Sequence, residues 1–232
     1  MGKRTTGRAK GKGSLTFQIR KRAYVFRIGY PKIETAGNGK IIKLVNSLAH
    51  SCPLAKIQIG NEFFYSPAAD GVYEGQEIEI CGKNAEKGNV MKLKDIPQGT
   101  KIFNVEKFPG SGGKILRSSG TSGFVMNKDK NKVEVIIKRR KIILNENCRA
   151  TVGVASGDGR VLKPIVKAGK KHHMMLSKGR KWHRTSPIKT NALDHPFGGG
   201  RGKRIKSKIA KRNAPPGAKV GHIRPRRTGR KK

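Results

Sequence analysis

The sequence predicts a mainly β protein with strongly basic ends, and three observations support this. Short runs of β-branched and aromatic residues recur between turn-forming residues in the middle of the chain. Only 34% of the 232 residues are hydrophobic, while 30 are Gly and 11 are Pro, so few uninterrupted stretches reach helical length. The formal net charge is +39, and most of it lies towards the two ends. Ile205 to Arg212 is the best candidate for a helix.

The first half of the central segment contains five short strand-like runs. Five such strands, separated by Gly, Pro, Asn or Asp, are typical of a small barrel of the OB type. The runs cover residues 24–28, 41–45, 55–59, 62–65 and 77–80. Residues 82–100 look like a connection. Within it, Ile-Pro-Gln-Gly-Thr at 96–100 predicts a turn, because proline fixes φ and glycine accepts positive φ.

The second half of the central segment predicts another small barrel, of SH3-like type. Its runs cover residues 101–105, 123–126, 133–137, 141–144 and 149–154. Lys128 to Asn131 separates two of these runs and predicts a hairpin loop. Periodicity does not distinguish a barrel from a sandwich at this length, so the prediction is strongest for antiparallel, nearly all-β organisation.

The distribution of charge divides the chain. Residues 1–30 hold nine basic and no acidic residues, residues 31–160 hold 21 basic and 13 acidic residues, and residues 161–232 hold 23 basic residues and a single acid. This layout is typical of a folded body with cationic extensions. We predict four segments: a basic N-terminal extension (1–14), an OB-fold domain (15–82), an SH3-like barrel (83–160) and an extended basic C-terminal tail (161–232).

A positive charge of this size predicts a polyanionic partner, and RNA or DNA is the obvious one. The cationic ends can bury too little apolar surface to order by themselves, so we expect them to order against that partner. Each phosphate that Lys or Arg neutralises releases counterions. Binding is therefore expected to be strong and sensitive to salt.

The three cysteines are Cys52, Cys81 and Cys148, and no two of them have metal-ligand spacing. An odd count argues against a disulfide framework, so we expect buried, reduced thiols in an intracellular protein. No apolar run approaches the length of a membrane span, and residues 1–14 lack the apolar stretch of a secretory signal. We predict a cytoplasmic protein with no membrane partner, no cofactor and no metal.

A glycine-rich stretch runs from Phe108 to Lys114 and lacks the spacing of a Walker A loop. It is either a plain flexible loop or a loop whose backbone N–H groups approach RNA phosphates. Arg-Ser-Ser-Gly-Thr-Ser-Gly at 117–123 continues it with donors suited to phosphate and sugar. The competing interpretation is a turn whose glycines were chosen for positive φ.

Two features of the basic tail have alternative interpretations. His172 and His173 could suggest a metal, but neighbours in an extended chain point to opposite faces, so a surface or RNA-contacting role is favoured. Trp182 lies between Lys181 and His183 and could stack on a base or anchor the tail to an apolar patch.

Asn-Ala-Leu-Asp-His-Pro-Phe-Gly-Gly-Gly at 191–200 is the most distinctive stretch. An acid beside a histidine, here Asp194 and His195, could perform acid–base chemistry. No nucleophile accompanies the pair, and three glycines cannot build a rigid pocket. We therefore favour a tight turn, restricted by Pro196, with glycines packed against an RNA backbone.

These motifs resemble the universal large-subunit ribosomal protein family L2, essentially from end to end. The carrying segments are Pro-Gly-Ser-Gly-Gly-Lys-Ile-Leu-Arg-Ser-Ser-Gly-Thr at 109–121, Cys-Arg-Ala-Thr-Val-Gly at 148–153, Lys-Pro-Ile-Val-Lys-Ala-Gly-Lys at 163–170 and Asp-His-Pro-Phe-Gly-Gly-Gly at 194–200. Phe197 and the ending from Val220 to Arg230 resemble archaeal and eukaryotic members, and the early stop of the tail favours an archaeal one. Thr-Asn-Ala-Leu at 190–193 departs conservatively from the family's usual Met-Asn-Pro-Val.

The resemblance implies an OB-fold, then an SH3-like barrel, then a C-terminal extension. It also implies a structural constituent of the large ribosomal subunit that binds large-subunit rRNA and supports subunit association, tRNA binding and formation of the peptidyl-transferase centre. Its partners would be that rRNA, neighbouring large-subunit proteins and, at the interface, the small subunit, without homo-oligomerisation. The family's histidine maps to His195, which we interpret as supporting the peptidyl-transferase region without catalysing.

The candidate RNA-binding residues combine these patterns with the charge of the two ends. They are Arg4, Arg8, Lys10, Lys12, Lys114, Arg117, Ser118, Thr121, Arg149, Lys170, Lys171, His172, Arg180, Trp182, Arg184, Asn191, Asp194, His195, Pro196, Gly198, Gly199, Gly200, Arg201, Arg224, Arg226, Arg227 and Arg230. Two other classes of function remain as alternatives. One is an enzyme that uses Asp194 and His195 in peptidyl transfer, and the other is a nucleoid-packing protein suggested by charge alone.

Overall fold

The computed structural model describes residues 10–200 and 209–223 and confirms a mainly β protein. Ten strands form one sheet: β1 (Gly37–Val45), β2 (Leu54–Ile59), β3 (Glu62–Pro67), β4 (Glu77–Ile80), β5 (Val90–Lys92), β6 (Lys101–Phe103), β7 (Gly123–Asp129), β8 (Lys132–Ile137), β9 (Arg140–Asn145) and β10 (Arg149–Val152). A parallel pair, β11 (Ile209–Ala210) and β12 (His222–Ile223), lies apart in the sequence, and α1 spans Ala168–Ser177. Short 3-10 turns occupy Leu15–Phe17, Asp158–Arg160 and Pro187–Lys189.

The chain divides into two units, one of residues 21–166 and one of residues 1–20 with 167–232. In the first unit the strand order is β3-β2-β1-β4-β5-β10-β6-β7-β8-β9. All neighbours in that sheet are antiparallel except β4 and β5. This architecture is consistent with an OB-type barrel followed by an SH3-like barrel, while the four-segment division stays a prediction.

Two apolar clusters stabilise the halves of this unit. One gathers Ile41, Ile57, Ile78 and other residues of β1 to β5, and the other gathers buried residues of β5 to β10. In β8 the alternation is direct: Val133 and Val135 are buried, whereas Lys132 is exposed. A residue every second position faces the core because the side-chain period of a strand is two.

Two predictions about strands were wrong. Residues 24–28 do not form a strand: Tyr24 and Val25 are exposed, and Ile28 makes only an isolated bridge to Tyr65 of β3. Conversely, β5 was predicted as part of a connection. Its Val90 and Met91 are both fully buried, so three residues with no alternation gave no strand signal.

The predicted turn at 96–100 is confirmed, and the predicted hairpin loop is confirmed in a shorter form, because Lys128 and Asp129 belong to β7. Thr100 donates its backbone N–H to the carbonyl of Pro97 at 3.4 Å, and Gly99 has a φ of 78°. The β7–β8 hairpin turns at Lys130 and Asn131, and Asn131 takes a φ of 61°. Asparagine tolerates this left-handed conformation better than most residues.

The helix prediction was wrong in place. Ile209 and Ala210, inside the predicted helix, form β11, and residues 205–208 lie outside the described residues. The helix forms instead at α1, within the predicted extended tail. Its end has the hydrogen bonds of a Schellman motif: Gly179 donates to Leu176 at 3.0 Å, Arg180 donates to Met175 at 2.9 Å, and Gly179 has a φ of 61°.

Cys52 and Cys148 are buried free thiols, as predicted, whereas Cys81 is partly exposed. Burial, followed by the negative charge of Glu106, raises the pKa of Cys148 to about 11. Burial also raises the pKa of Cys52. Both thiols therefore stay protonated at neutral pH, as fits a packing role. In the described ranges, no helix has the length and apolar character needed to span a bilayer.

Candidate nucleic-acid interface

The predicted glycine-rich loop is an ordered turn. Gly110, Gly112 and Gly113 all take positive φ, and a β-bridge joins Val105 to Ile115 at its base. Ser111 Oγ accepts the backbone N–H of Lys107 at 3.0 Å. A Cβ at Gly113 would lie 2.8 Å from the carbonyl oxygen of Asn104, so a side chain is excluded there. The loop leaves Lys114 exposed to a ligand.

The buried carboxylate of Glu106 fixes the position of this loop through hydrogen bonds. Glu106 is 0% exposed, and its Oε1 accepts the backbone N–H of Gly112 at 3.0 Å and Nη2 of Arg149 at 3.1 Å. Its Oε2 accepts the backbone N–H of Arg149 at 2.8 Å. Both carboxylate oxygens are therefore engaged, as a buried charge requires.

Arg149 continues the network towards the segment before β1. Its Nη1 donates to the carbonyl of Lys32 at 3.2 Å, and its guanidinium carbon lies 5.2 Å from the ring centre of Tyr30. The Tyr30 hydroxyl donates to the carbonyl of Asn104 at 2.8 Å and lies 2.7 Å from Thr151 Oγ1. Burial raises the pKa of Tyr30 well above its ordinary value, so the phenol stays neutral.

The prediction that Arg149 contacts RNA is wrong for this fold. Arg149 is 1% exposed and ion-paired with Glu106 inside the protein. A cation held in this way cannot reach a phosphate without breaking a buried pair. The residues next to Arg149 in the sequence do not predict its burial. An arginine in a basic protein is expected to bind phosphate unless its ion-pair partner is known.

The serine-rich stretch after the loop is a second turn. Thr121 Oγ1 donates to the carbonyl of Ser118 at 2.6 Å, and Ser118 is exposed. Arg117 is half-buried, with Nη2 donating to the carbonyl of Ile28 at 2.9 Å and a buried Nε that has no partner among the described residues. Burial, opposed by Tyr30, lowers the pKa of Arg117 from its ordinary value. The protein therefore fixes the position of the Arg117 guanidinium while leaving some of its N–H donors unused.

In the other unit, α1 presents basic side chains to solvent. Lys170 and His172 are exposed and Lys171 is half-buried. The rings of His172 and His173 meet edge-on at 5.5 Å. Across residues 10–200 and 209–223, no group of three His, Cys, Asp or Glu residues is placed to hold a metal ion.

Trp182 is half-buried beside His183, with ring centres 5.4 Å apart. Arg180 and Arg184, on either side of it, are exposed. A part-exposed indole between two free cations has the composition of a stacking site for a base. Both earlier interpretations, stacking and anchoring, remain compatible with this exposure.

The stretch from Thr190 to Gly199 is a compact turn. Asp194 and His195 both donate backbone N–H groups to the carbonyl of Asn191, at 3.0 and 3.2 Å, and Gly199 donates to Thr190 at 3.0 Å. Gly198 is buried, and a Cβ there would collide with the carbonyls of Thr190 and Asn191. Pro196, Gly199 and Gly200 are left exposed at the surface of the turn.

His195 takes part in this turn. Its Nδ1 accepts the backbone N–H of Phe197 at 3.1 Å, and the two rings lie 5.1 Å apart. An accepting Nδ1 leaves the proton of a neutral imidazole on Nε2. The histidine therefore braces the turn through one nitrogen and has a donor on the other.

Several predicted contacts lie outside the described residues. These are Arg4, Arg8, Arg201, Arg224, Arg226, Arg227 and Arg230. Lys10 and Lys12 are described and exposed. The sequence reasoning missed Glu106, Tyr30 and Arg160, which organise the two turns. Glu106 directly follows the strand-like run 101–105. This position beside apolar residues was the only feature of the sequence that could have indicated its structural role.

Comparison with known proteins identifies the family. Residues 86–217 match the profile described as Ribosomal Proteins L2, C-terminal domain. The protein named Large ribosomal subunit protein uL2 of Natronomonas pharaonis is 41% identical over 237 residues, covering 99% of this chain and 97% of the relative. The chain belongs to the ribosomal protein L2 family.

Other L2 relatives agree. The protein of the same name from Archaeoglobus fulgidus is 41% identical and spans 99% of both chains. That from Sulfolobus acidocaldarius is 40% identical, covering 100% of this chain and 99% of its own. The L2 resemblance seen in the motifs is thereby confirmed over the full length of the chain.

Breaking the buried pair should destabilise the β unit strongly. We expect Glu106→Leu or Arg149→Met alone to cost about 3–5 kcal/mol, because each leaves an uncompensated buried charge or its donors. The double variant should cost less than the sum of the two, since no lone charge remains. Urea unfolding measures this. The control is Lys141→Met, which breaks the exposed pair with Glu134 and should cost little. If the costs of the Glu106 and Arg149 single variants add up in the double variant, the coupling is contradicted.

Gly198→Ala should disrupt the 190–199 turn, because its Cβ collides with two carbonyl groups. We expect faster amide hydrogen exchange at Gly199, whose N–H bonds Thr190. Gly169→Ala, in α1 with nothing within 4 Å of its Cβ, is the matched control and should leave exchange unchanged. Equal exchange in both variants would show that the turn tolerates a side chain.

Proposed function

We propose that this protein is a structural constituent of the large ribosomal subunit that binds large-subunit rRNA. The observation that carries the proposal is the contrast between residues 31–160, with 21 basic and 13 acidic residues, and residues 161–232, with 23 basic residues and one acid. Side chains 161–170 are all exposed, so they are available to phosphates. Family membership indicates which RNA to propose, because the relatives are named as proteins of the large ribosomal subunit.

The exposed and partly exposed residues of the candidate interface are the proposed contacts. Lys114, Ser118 and Thr121 lie on the turns of the β unit, with Arg117 behind them. In the other unit the contacts are the cations of α1, the Trp182 segment and the surface of the 190–199 turn. Arg149 is left out because it is buried. Charge-assisted contacts to phosphate give affinity and position, and base stacking adds local preference.

We further propose that the protein acts in the cytoplasm within the ribosome and contacts neighbouring large-subunit proteins. In this role it supports subunit association, tRNA binding and formation of the peptidyl-transferase centre. The proposed role is structural and not catalytic. His195 supports this, because its Nδ1 is used within the turn and no nucleophile is paired with it among the described contacts.

Deleting residues 161–232 should abolish incorporation into large subunits while the β unit stays folded. The reason is that this segment carries 23 basic residues against one acid, whereas the apolar clusters lie within residues 21–166. Sedimentation of tagged protein with large subunits measures incorporation, and circular dichroism checks the fold. A truncated protein that enters subunits normally would refute the proposal. Recovery with nucleoid DNA would favour a packing protein instead.

His195→Ala tests the catalytic alternative. We expect assembled subunits that carry this variant to form peptide bonds at the normal rate, because the histidine positions a turn. Peptide-bond formation by purified subunits is the readout, with chemical probing of the rRNA as the check on geometry. A lost rate with unchanged rRNA geometry would favour the enzyme.

A further inference from the structure

A cleft of about 450 Å³ opens on the β unit, beside the 117–121 turn. Its walls come from the segment after β1, residues 46–53, and from the segment after β10, residues 157–163. Arg160 and Lys163 supply two cations, and His50 and Ser47 add polar groups. None of the described residues that line the cleft carries a carboxylate. The lining is therefore concave and positively charged, although Asp158 lies next to it in the sequence, between Gly157 and Gly159.

Arg160 is held in place by the serine-rich turn. Its Nε donates to Ser119 Oγ at 2.7 Å, and the backbone N–H of Ser119 donates to Ser51 Oγ at 3.2 Å. Ser119 is only 5% exposed, so this anchor belongs to the folded core. With Nε engaged, the two Nη groups are the donors that remain for a ligand. A guanidinium fixed in this way loses little entropy on binding.

Close packing of two turns sets this geometry. Gly120 takes a φ of 69°, and a Cβ there would lie 2.7 Å from Cα of Asp158. Gly157, with a φ of 80°, packs against Ser119 and Pro53. Glycines at both positions let the 118–121 turn approach the 157–160 turn closely enough for Ser119 to reach Arg160.

His50 supplies a neutral ring to the cleft. Burial, and then the positive charge of Arg117, lowers the pKa of His50 from its ordinary value. Its Nδ1 lies 2.8 Å from Ser47 Oγ, and its ring meets Tyr24 edge-on at 5.2 Å. A fixed, uncharged aromatic ring favours stacking over phosphate binding.

We propose that this cleft binds one unpaired nucleotide of RNA, with its phosphate on Arg160 and Lys163 and its base or sugar against His50 and Pro53. The arginine fork matches phosphate geometry. A volume of about 450 Å³ exceeds the need of a bare phosphate and falls in the range of small-ligand pockets, about 300–1,000 Å³. Only the identity of the RNA as rRNA rests on the proposed function. The same chemistry would also accept a free mononucleotide.

The test uses the full chain and a single-stranded oligouridine that carries 4-thiouridine. Photo-crosslinked peptides are mapped by mass spectrometry, so that cleft contacts are separated from contacts of the basic ends. Arg160→Met is compared with Arg139→Met, which removes the same charge from the exposed turn between β8 and β9. Arg160→Lys keeps the charge but loses the fork and the bond to Ser119. Urea unfolding checks that each variant folds.

We expect Arg160→Met to reduce crosslinking to residues 46–53 and 157–163 about tenfold, the size of one lost hydrogen bond to a charged group. Arg160→Lys should be intermediate, and Arg139→Met should leave these crosslinks unchanged. Equal losses in Arg160→Met and Arg139→Met would overturn the proposal, because they would mean diffuse attraction. If Arg160→Met fails to fold, Arg160→Lys decides the matter: unchanged cleft crosslinks in that variant would overturn the proposal.

Competitors separate the possible sources of the ligand. Unlabelled single-stranded RNA should abolish the cleft crosslinks, and duplex RNA of equal length should compete poorly. Duplex RNA that competes equally would overturn the unpaired nucleotide, and 5′-AMP that competes as well as the oligonucleotide would replace RNA with a free mononucleotide. If the wild type binds rRNA but its cleft never crosslinks, only this inference fails. If the wild type does not bind rRNA, the proposed function fails.

Discussion

A buried ion pair organises the glycine-rich loop of the β unit, next to the proposed contact Lys114. Glu106 and Arg149 lie 3.1 Å apart at 0% and 1% exposure, and each also bonds backbone groups of separate segments. The carboxylate holds the glycine loop through Gly112, and the guanidinium holds the segment before β1 through Lys32. Neither charge tolerates the loss of the other in a low-dielectric interior. The loop therefore has one favoured position relative to β10.

Folding and the proposed binding depend on different parts of the chain. Residues 31–160 hold the buried residues of both apolar clusters and 21 basic against 13 acidic residues, so this part can fold without a partner, whereas the segments with the greatest excess of cations contribute little to those clusters. Self-repulsion in the basic segments is relieved only by an anion. Under the proposed function, the β unit brings a preformed surface to RNA and the basic segments add charge that neutralises phosphates.

Glycine has a specific use at the candidate sites. Gly113, Gly120 and Gly198 each occupy a place where a Cβ would meet backbone or a buried side chain within 3 Å. They allow turns to pack closely, and the polar side chains of those turns then hold functional groups, as Ser119 holds Arg160. In a chain with 30 glycines, the sequence alone does not distinguish these positions from those in open space.

Composition and strand periodicity were enough to determine a mainly β fold, most strand positions and the β7–β8 hairpin, because these follow from local pattern. The charge distribution predicted a polyanionic partner, because that expectation follows from net charge. The tertiary structure alone decided the roles of individual residues. Arg149 became structural because Glu106, 43 positions earlier in the chain, lies beside it. The strand β5 appeared because β4 and β10 pair with it on either side. Arg160 lines a cleft because turns distant in the sequence pack together. Such long-range contacts leave no periodic signal in the sequence.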